Sequence, residues 1–168
     1  MVAVDADYRV DSVVTACVAF HAWTDAASSR ELAVRSSMPA AAYKAGSFYE
    51  RELPYVLAAL AGLEPELVVI DGYVWLAAGA KGLGGHLHAA IGVPVVGVAK
   101  NPFKSAPSIA VIRGASAKPL HVTAAGIDAA EAAEHVRAMH GAFRIPTLLK
   151  RADALARSYG PNLAANAR

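Results

Sequence analysis

The chain has 168 residues, a formal net charge of +2 and 55% hydrophobic residues. That length and apolar content support one packed domain over residues 1–168 and exclude a disordered polar chain. The near-balanced charge leaves any nucleic-acid contact to local basic patches rather than to a global field.

Cys17 is the single cysteine, so no internal disulfide can form. It lies in the apolar run from Val13 to Phe20 and reads as a small buried hydrophobe. This agrees with a reducing compartment, and a cytoplasmic location is expected. Asp5, Asp7 and Arg9 interrupt the N-terminus, so no signal peptide is expected there. No apolar run of about 18 residues is free of charges and turns, which predicts no membrane span and no membrane partner.

In chain order, Met1 to Ala6 reads as a first strand. Val10 to Trp23, rich in β-branched residues, reads as a second. Asp25, Ser28 and Ser29 mark a turn, and Glu31 to Ser36 reads as a third. Short connections make these an antiparallel meander. Pro39 to Gly46 is a loop that carries Tyr43. Leu53, Val56, Leu57 and Leu60 then recur at helical spacing, predicting a helix from Phe48 to Leu63. Pro54 is expected in its first turn, with Glu52 near the N-terminus. Leu67 to Ile70 is a run buried on both faces that ends at Asp71-Gly72. Tyr73 to Gly85 reads as a glycine-rich loop and His86 to Ile91 as a short helix. Val93 to Ala99 is a buried strand ending at Lys100. Ile109 to Ile112 and Leu120 to Thr123 are weaker strands. Asp128 to Glu131 resembles a capping box for a helix that Gly141 closes. A last helix runs from Pro146 to about Tyr159, and a frayed tail follows.

A carboxylate at the C-terminal end of a strand stands where α/β sheets build their sites. Asp71 has that place, while Asp-Gly alone could be only a turn. Asp5 on the first strand, Glu52 on the first helix and Asp153 on the last helix could join it. Asp5 and Asp71 are expected at the adjacent C-terminal ends of neighbouring parallel strands, close enough to share an ion. Converging carboxylates repel one another and call for a cation. Oxygen donors select a hard ion, Mg2+ or Mn2+, and there is no Cys/His spacing for zinc.

The motifs Val4-Asp5-Ala6-Asp7-Tyr8, Arg51-Glu52-Leu53-Pro54, Val69-Ile70-Asp71-Gly72, Gly82-Leu83-Gly84-Gly85-His86 and Gly97-Val98-Ala99-Lys100, with Tyr43 and Gly46, resemble in order and spacing those of the endonuclease V family. The resemblance runs from about Val2 to Arg157. It implies a ribonuclease H-like α/β fold, with a mixed five-stranded sheet flanked by helices. It also implies Mg2+-dependent cleavage of nucleic acid, DNA or RNA, near a deaminated base such as inosine, with no obligatory protein partner. Carried over by residue, it makes Asp5, Asp71 and Glu52 the metal-holding acids and Asp153 a late helper. Lys100 becomes the lysine near the scissile phosphate and Tyr43 the strand-separating wedge. Gly46, Gly72 and Gly82 match glycines beside the flipped base, and His86 is a further candidate for substrate contact.

The chain departs from the family where substrate is handled. The wedge reads Ala42-Tyr43-Lys44-Ala45-Gly46 without flanking prolines. Glu50 replaces a phenylalanine. Val74 replaces a glycine, and Ala77-Ala78-Gly79 replace His-Pro-Arg. Weakened or shifted inosine specificity is therefore expected. Two other readings stand beside the nuclease. One is a non-catalytic nucleic-acid-binding protein derived from such a nuclease. The other is an enzyme acting on a small phosphorylated or nucleoside substrate. His88, His121, His135 and His140 show no ligand spacing and read as ordinary surface or packing residues, and Trp23 and Trp75 as packing residues. Ser12, Ser47 and Ser105 lack the partners of a serine hydrolase.

Overall fold

The protein was analysed as a computed structural model that describes residues 1–37 and 48–159. Tyr43, Gly46 and the tail fall outside the described residues. In chain order the elements are β1 (Val2–Tyr8), β2 (Ser12–Ala19), β3 (Arg30–Ser37), α1 (Phe48–Leu60), β4 (Val68–Asp71), β5 (Trp75–Ala77), β6 (Ala80–Lys81), α2 (Leu83–Ile91), β7 (Val95–Ala99), β8 (Ile109–Val111), β9 (Leu120–Ala125), α3 (Ala129–Ala138) and α4 (Thr147–Ser158).

The first three strands form the expected antiparallel meander. β4 then adds parallel to β1, and β7 parallel to β4. β9 and β8 follow as antiparallel strands, giving the order β3-β2-β1-β4-β7-β9-β8. This is a mixed sheet within an α/β fold, as the resemblance implied. It has seven strands rather than five, because the two weaker strands extend it beyond β7.

The sheet is covered on both faces, and strand alternation decides which residue faces which layer. Val2, Val4, Val68, Ile70 and Val95 pack with Val56, Ala59 and Leu60 of α1 and Leu87 of α2. Ala3, Val69, Val96 and Val98 pack on the other face with Ala132, Ala133 and Val136 of α3 and Leu148 and Ala152 of α4. Asp5, Asp71 and Lys100 continue the second series by parity, so they fall on the α4 side at the strand ends.

Several boundaries differ from the sequence reading, each for a local reason. β2 is trimmed from Val10–Trp23 to Ser12–Ala19. At its far end Asp25 accepts backbone bonds from His21 and Ala22, both at 2.9 Å, and closes a turn. Pro54 sits inside α1 rather than in its first turn. The carbonyl it leaves without a ladder donor is that of Glu50, on an exposed residue that water reaches. Within the expected glycine-rich loop, β5 and β6 form a small hairpin that turns at Gly79, whose φ is 75°. α2 begins at Leu83, three residues before His86. α3 is capped by Asp128, whose side chain accepts from Ala130 and Glu131, but it ends before Met139 rather than at Gly141.

Gly97 is the close-approach glycine of the site. A Cβ there would stand 2.6 Å from the Gly72 carbonyl oxygen and 2.9 Å from the Val74 nitrogen, both backbone atoms. The turn after Asp71 therefore packs directly on β7 and is pinned by the Val74 N–H donating to Thr123 Oγ1 at 2.9 Å. Gly97→Ala is expected to cost about 1–3 kcal/mol and to displace Asp71. Urea unfolding checks this: a change under about 0.5 kcal/mol would mean that the turn yields freely.

Candidate active site

β1 and β4 pair in parallel with Val4 opposite Ile70. Asp5 and Asp71 come next in each strand, side by side where that pairing stops. Asp71 ends β4 as expected, but Asp5 does not end β1, which runs on to Tyr8 because β2 continues to pair with it. The Ala6 N–H donates to Asp5 Oδ1 at 2.8 Å. Lys100, just past β7, places Nζ 2.5 Å from Asp71 Oδ2. Burial works against the Lys100 charge. The bond to Asp71 and the nearby Asp5 and Asp153 outweigh it, holding the ammonium above its ordinary range.

Two cavities meet at this pair. A large one of about 670 Å³ is lined by Asp5, Asp71, Lys100 and Asp153, with an apolar wall from Leu120 to Leu149. A small one of about 40 Å³ is lined by Tyr8, Glu52 and Leu83. Val4, Asp5 and Asp71 border both, so the aspartates form the ridge between them.

The four acids are coupled, but unevenly. Burial and then the Asp71 charge push the Asp5 carboxyl up to about 6. The Ala6 N–H and Lys100 pull against this, and Asp153 adds a smaller push upward. Burial also pushes Glu52 up to about 7. Its hydrogen bond from Tyr8 opposes the shift, while Asp5 and Asp71 add to it. Asp153 Oδ1 accepts from Arg157 Nε at 2.8 Å, one turn along α4. Among the described residues, no three His, Cys, Asp or Glu side chains stand close enough to form a ready-made metal site. The face assignment explains why. Asp5, Asp71 and Asp153 share the α4 side, whereas α1 brings Glu52 from the other side.

Tyr8 ends the first quoted motif, and no side-chain pattern in the sequence singles it out. Its hydroxyl bonds to Glu52, and burial raises its own pKa. The Arg51 guanidinium lies 5.6 Å from the centre of its ring. Three other expected substrate residues are placed as follows. Gly72 has φ 137° and open space beyond its Cα. Gly82 has an internal reason to be glycine, since a Cβ would meet the Tyr73 carbonyl oxygen at 2.4 Å. His86 lines neither cavity and stacks on Tyr49 with ring centres 3.5 Å apart.

Among the remaining histidines and tryptophans, His140 is exposed and bonds Thr147, whereas His135 and the two tryptophans pack. His135 stacks on Trp23, and Trp75 Nε1 donates to the Ala124 carbonyl. Cys17 is buried, which pushes its thiol up to about 12.

The raised carboxyls set a direction for stability against pH. Asp5 and Glu52 bind protons more tightly when folded than when unfolded. Their contribution is complete below their ordinary values of 3.8 and 4.5 and is lost as pH rises through about 6 and about 7. In EDTA, the melting temperature is expected to fall across that window. Glu52→Gln should flatten the upper part of the fall. An equal slope in native protein and variant would remove Glu52 as its source.

The sequence model of the endonuclease V family matches residues 1–124. Endonuclease V of Streptomyces coelicolor is 35% identical over 90% of this chain and 74% of its own length. The crystal structure of endonuclease V from Streptomyces avermitilis superposes with a TM-score of 0.75 at 32% identity, over 93% of this chain and 78% of that one. Ciona intestinalis endonuclease V, in complex with a 24mer DNA containing an inosine followed by a ribo-adenosine, shares the fold. Its TM-score is 0.76 at 19% identity, over 93% of this chain and 83% of that one. These matches give the aspartate ridge its context: the chain belongs to the endonuclease V family and is related throughout to endonucleases.

Proposed function

We propose that this protein is a metal-dependent endonuclease that cleaves a phosphodiester bond in DNA or RNA near a deaminated base such as inosine. One observation carries the reading. In a chain of this family, Asp5 and Asp71 stand side by side where the parallel pairing of β1 and β4 stops, on the rim of a large cavity, with Lys100 against Asp71. The inosine-containing DNA bound by the Ciona protein supports the substrate class.

The donor set suits a hard divalent ion. It is all oxygen, and Asp5 and Glu52 hold their protons because burial and their neighbours oppose more negative charge. Asp5 and Asp71 would hold Mg2+, or Mn2+ in its place, with Glu52 and Asp153 completing the set. Bound there, the ion supplies Lewis acidity at the phosphate and activates water. Each residue has its own part. Lys100, held against Asp71 at the cavity rim, would meet the charge that builds on the reacting phosphate. Asp153 lines the same cavity, where Arg157 orients its carboxylate. Tyr8 keeps Glu52 oriented by donating its hydroxyl proton.

Specificity is read from the hairpin that follows Asp71. Val74, where the family has glycine, is fully buried and contacts the space beside Gly84. Its side chain serves the core, so base selection rests on backbone and on the wedge Tyr43. Incubation with inosine-containing DNA, inosine-containing RNA and matched plain strands, each with Mg2+ and with EDTA, tests the proposal. Mg2+-dependent cutting with a preference for the deaminated strand is expected. No cutting of any strand would sink it.

A further inference from the structure

The large cavity is bigger than the proposed chemistry requires. At about 670 Å³ it falls in the range of roughly 300–1,000 Å³ that holds a whole small molecule, whereas a reacting phosphate needs only its rim. Its far wall comes from the segment between α3 and α4 and from α4 itself. Phe143 in that wall is 73% exposed, a costly position for a phenylalanine without a partner. Lys150 Nζ lies 5.9 Å from the centre of its ring.

This wall is held firmly. Arg113 is buried and donates to the carbonyls of Arg137, Met139, Gly141, Phe143 and Arg144. Arg144 Nη2 donates to the carbonyls of Lys100 and Pro119. The loop bearing Phe143 is thereby tied to the strand end bearing Lys100. An exposed ring on a held backbone, with one lysine beside it, on a surface continuous with the aspartate ridge, is the pattern that binds an unstacked base and its phosphate.

We propose that this cavity binds a second unpaired nucleotide of the substrate strand, across the aspartate ridge from Glu52. Its base lies against Phe143 and the apolar wall, and its outer phosphate meets Lys150. The inference rests on the nuclease reading and deepens it. It makes the enzyme a reader of strand opening on both sides of the reacting bond, which favours single-stranded over duplex substrate.

The test walks one abasic residue through a short inosine-containing single strand and follows binding by fluorescence anisotropy in EDTA, so that nothing is cut. In the native protein one position should weaken binding about tenfold, the worth of a stacked base. In Phe143→Ala that position should lose its effect, and Phe143→Trp should restore it. Lys150→Ala should lower the slope of log affinity against log salt by about 0.7, one phosphate contact on a single strand. An abasic penalty equal in native protein and Phe143→Ala, or a salt slope unmoved in Lys150→Ala, overturns the proposal. If the native protein still binds and cuts in those cases, the nuclease reading survives alone. If it neither binds nor cuts any strand, both fall.

Discussion

Asp71→Asn is expected to leave the fold intact and to reduce cleavage by about two to three orders of magnitude, the scale of losing one preorganised charge contact at a reacting phosphate. The substitution removes an oxygen donor that a hard cation needs. It also removes the charge that pushes up Asp5 and Glu52 and leaves Lys100 only a neutral amide oxygen as acceptor. Both remaining carboxyls should then titrate lower, and the metal-free variant should be no less stable than the native protein near neutral pH. Binding and cutting should separate, because less negative charge faces the phosphate chain while the ion is lost. Magnesium a hundredfold above its dissociation constant should stabilise the native protein by about 2.7 kcal/mol and the variant by far less. Thermal shift and cleavage, with and without magnesium, measure all of this. Equal magnesium responses with equal cleavage would remove Asp71 from the metal set.

The largest stability effect is expected at Arg113. Arg113→Ala leaves carbonyls of the α3–α4 segment without the donor that now serves five of them. Among the described residues no acid pairs with this guanidinium; the backbone itself is its counterpart. The loss should be about 3–4 kcal/mol, or a melting temperature lower by about 10 °C for a chain of this size. Arg113→Lys should recover little, because an ammonium cannot reproduce the planar fork. Urea unfolding of both variants decides the point. A change within 1 kcal/mol for Arg113→Ala would mean that water replaces the web at little cost.

Much of the fold could be read from local pattern. The apolar runs around Val69 and Val96 read as central strands, and Asp128 announced α3. The β5–β6 hairpin was hidden because Ala77 to Gly85 carries almost no alternation, and its two strands are very short. The site was legible as a set of acids but not as a geometry. Strands buried on both faces show no polar alternation, so nothing in β1 or β4 alone says which layer Asp5 or Asp71 will meet. That follows only from the register of Val4 with Ile70. Glu52 could not be placed either, since its approach depends on how α1 crosses the opposite face. Arg113 was invisible because its partners are all carbonyls, which no side-chain motif encodes.

The two-sided sheet also constrains how this sequence can vary in length. Within β1, inserting or deleting one residue between Val2 and Asp5 would turn the carboxylate from the α4 layer to the α1 layer and bury it among apolar side chains. A change of two residues would restore the facing and shift Asp5 along the strand by roughly 7 Å. The same holds for β4 before Asp71 and for β7 before Lys100. The three strands are thus locked in a common reading of odd and even positions. Length variation among descendants of this chain should collect in the connections, such as the β2–β3 turn and the β8–β9 link, where a gained residue moves no charge across the sheet.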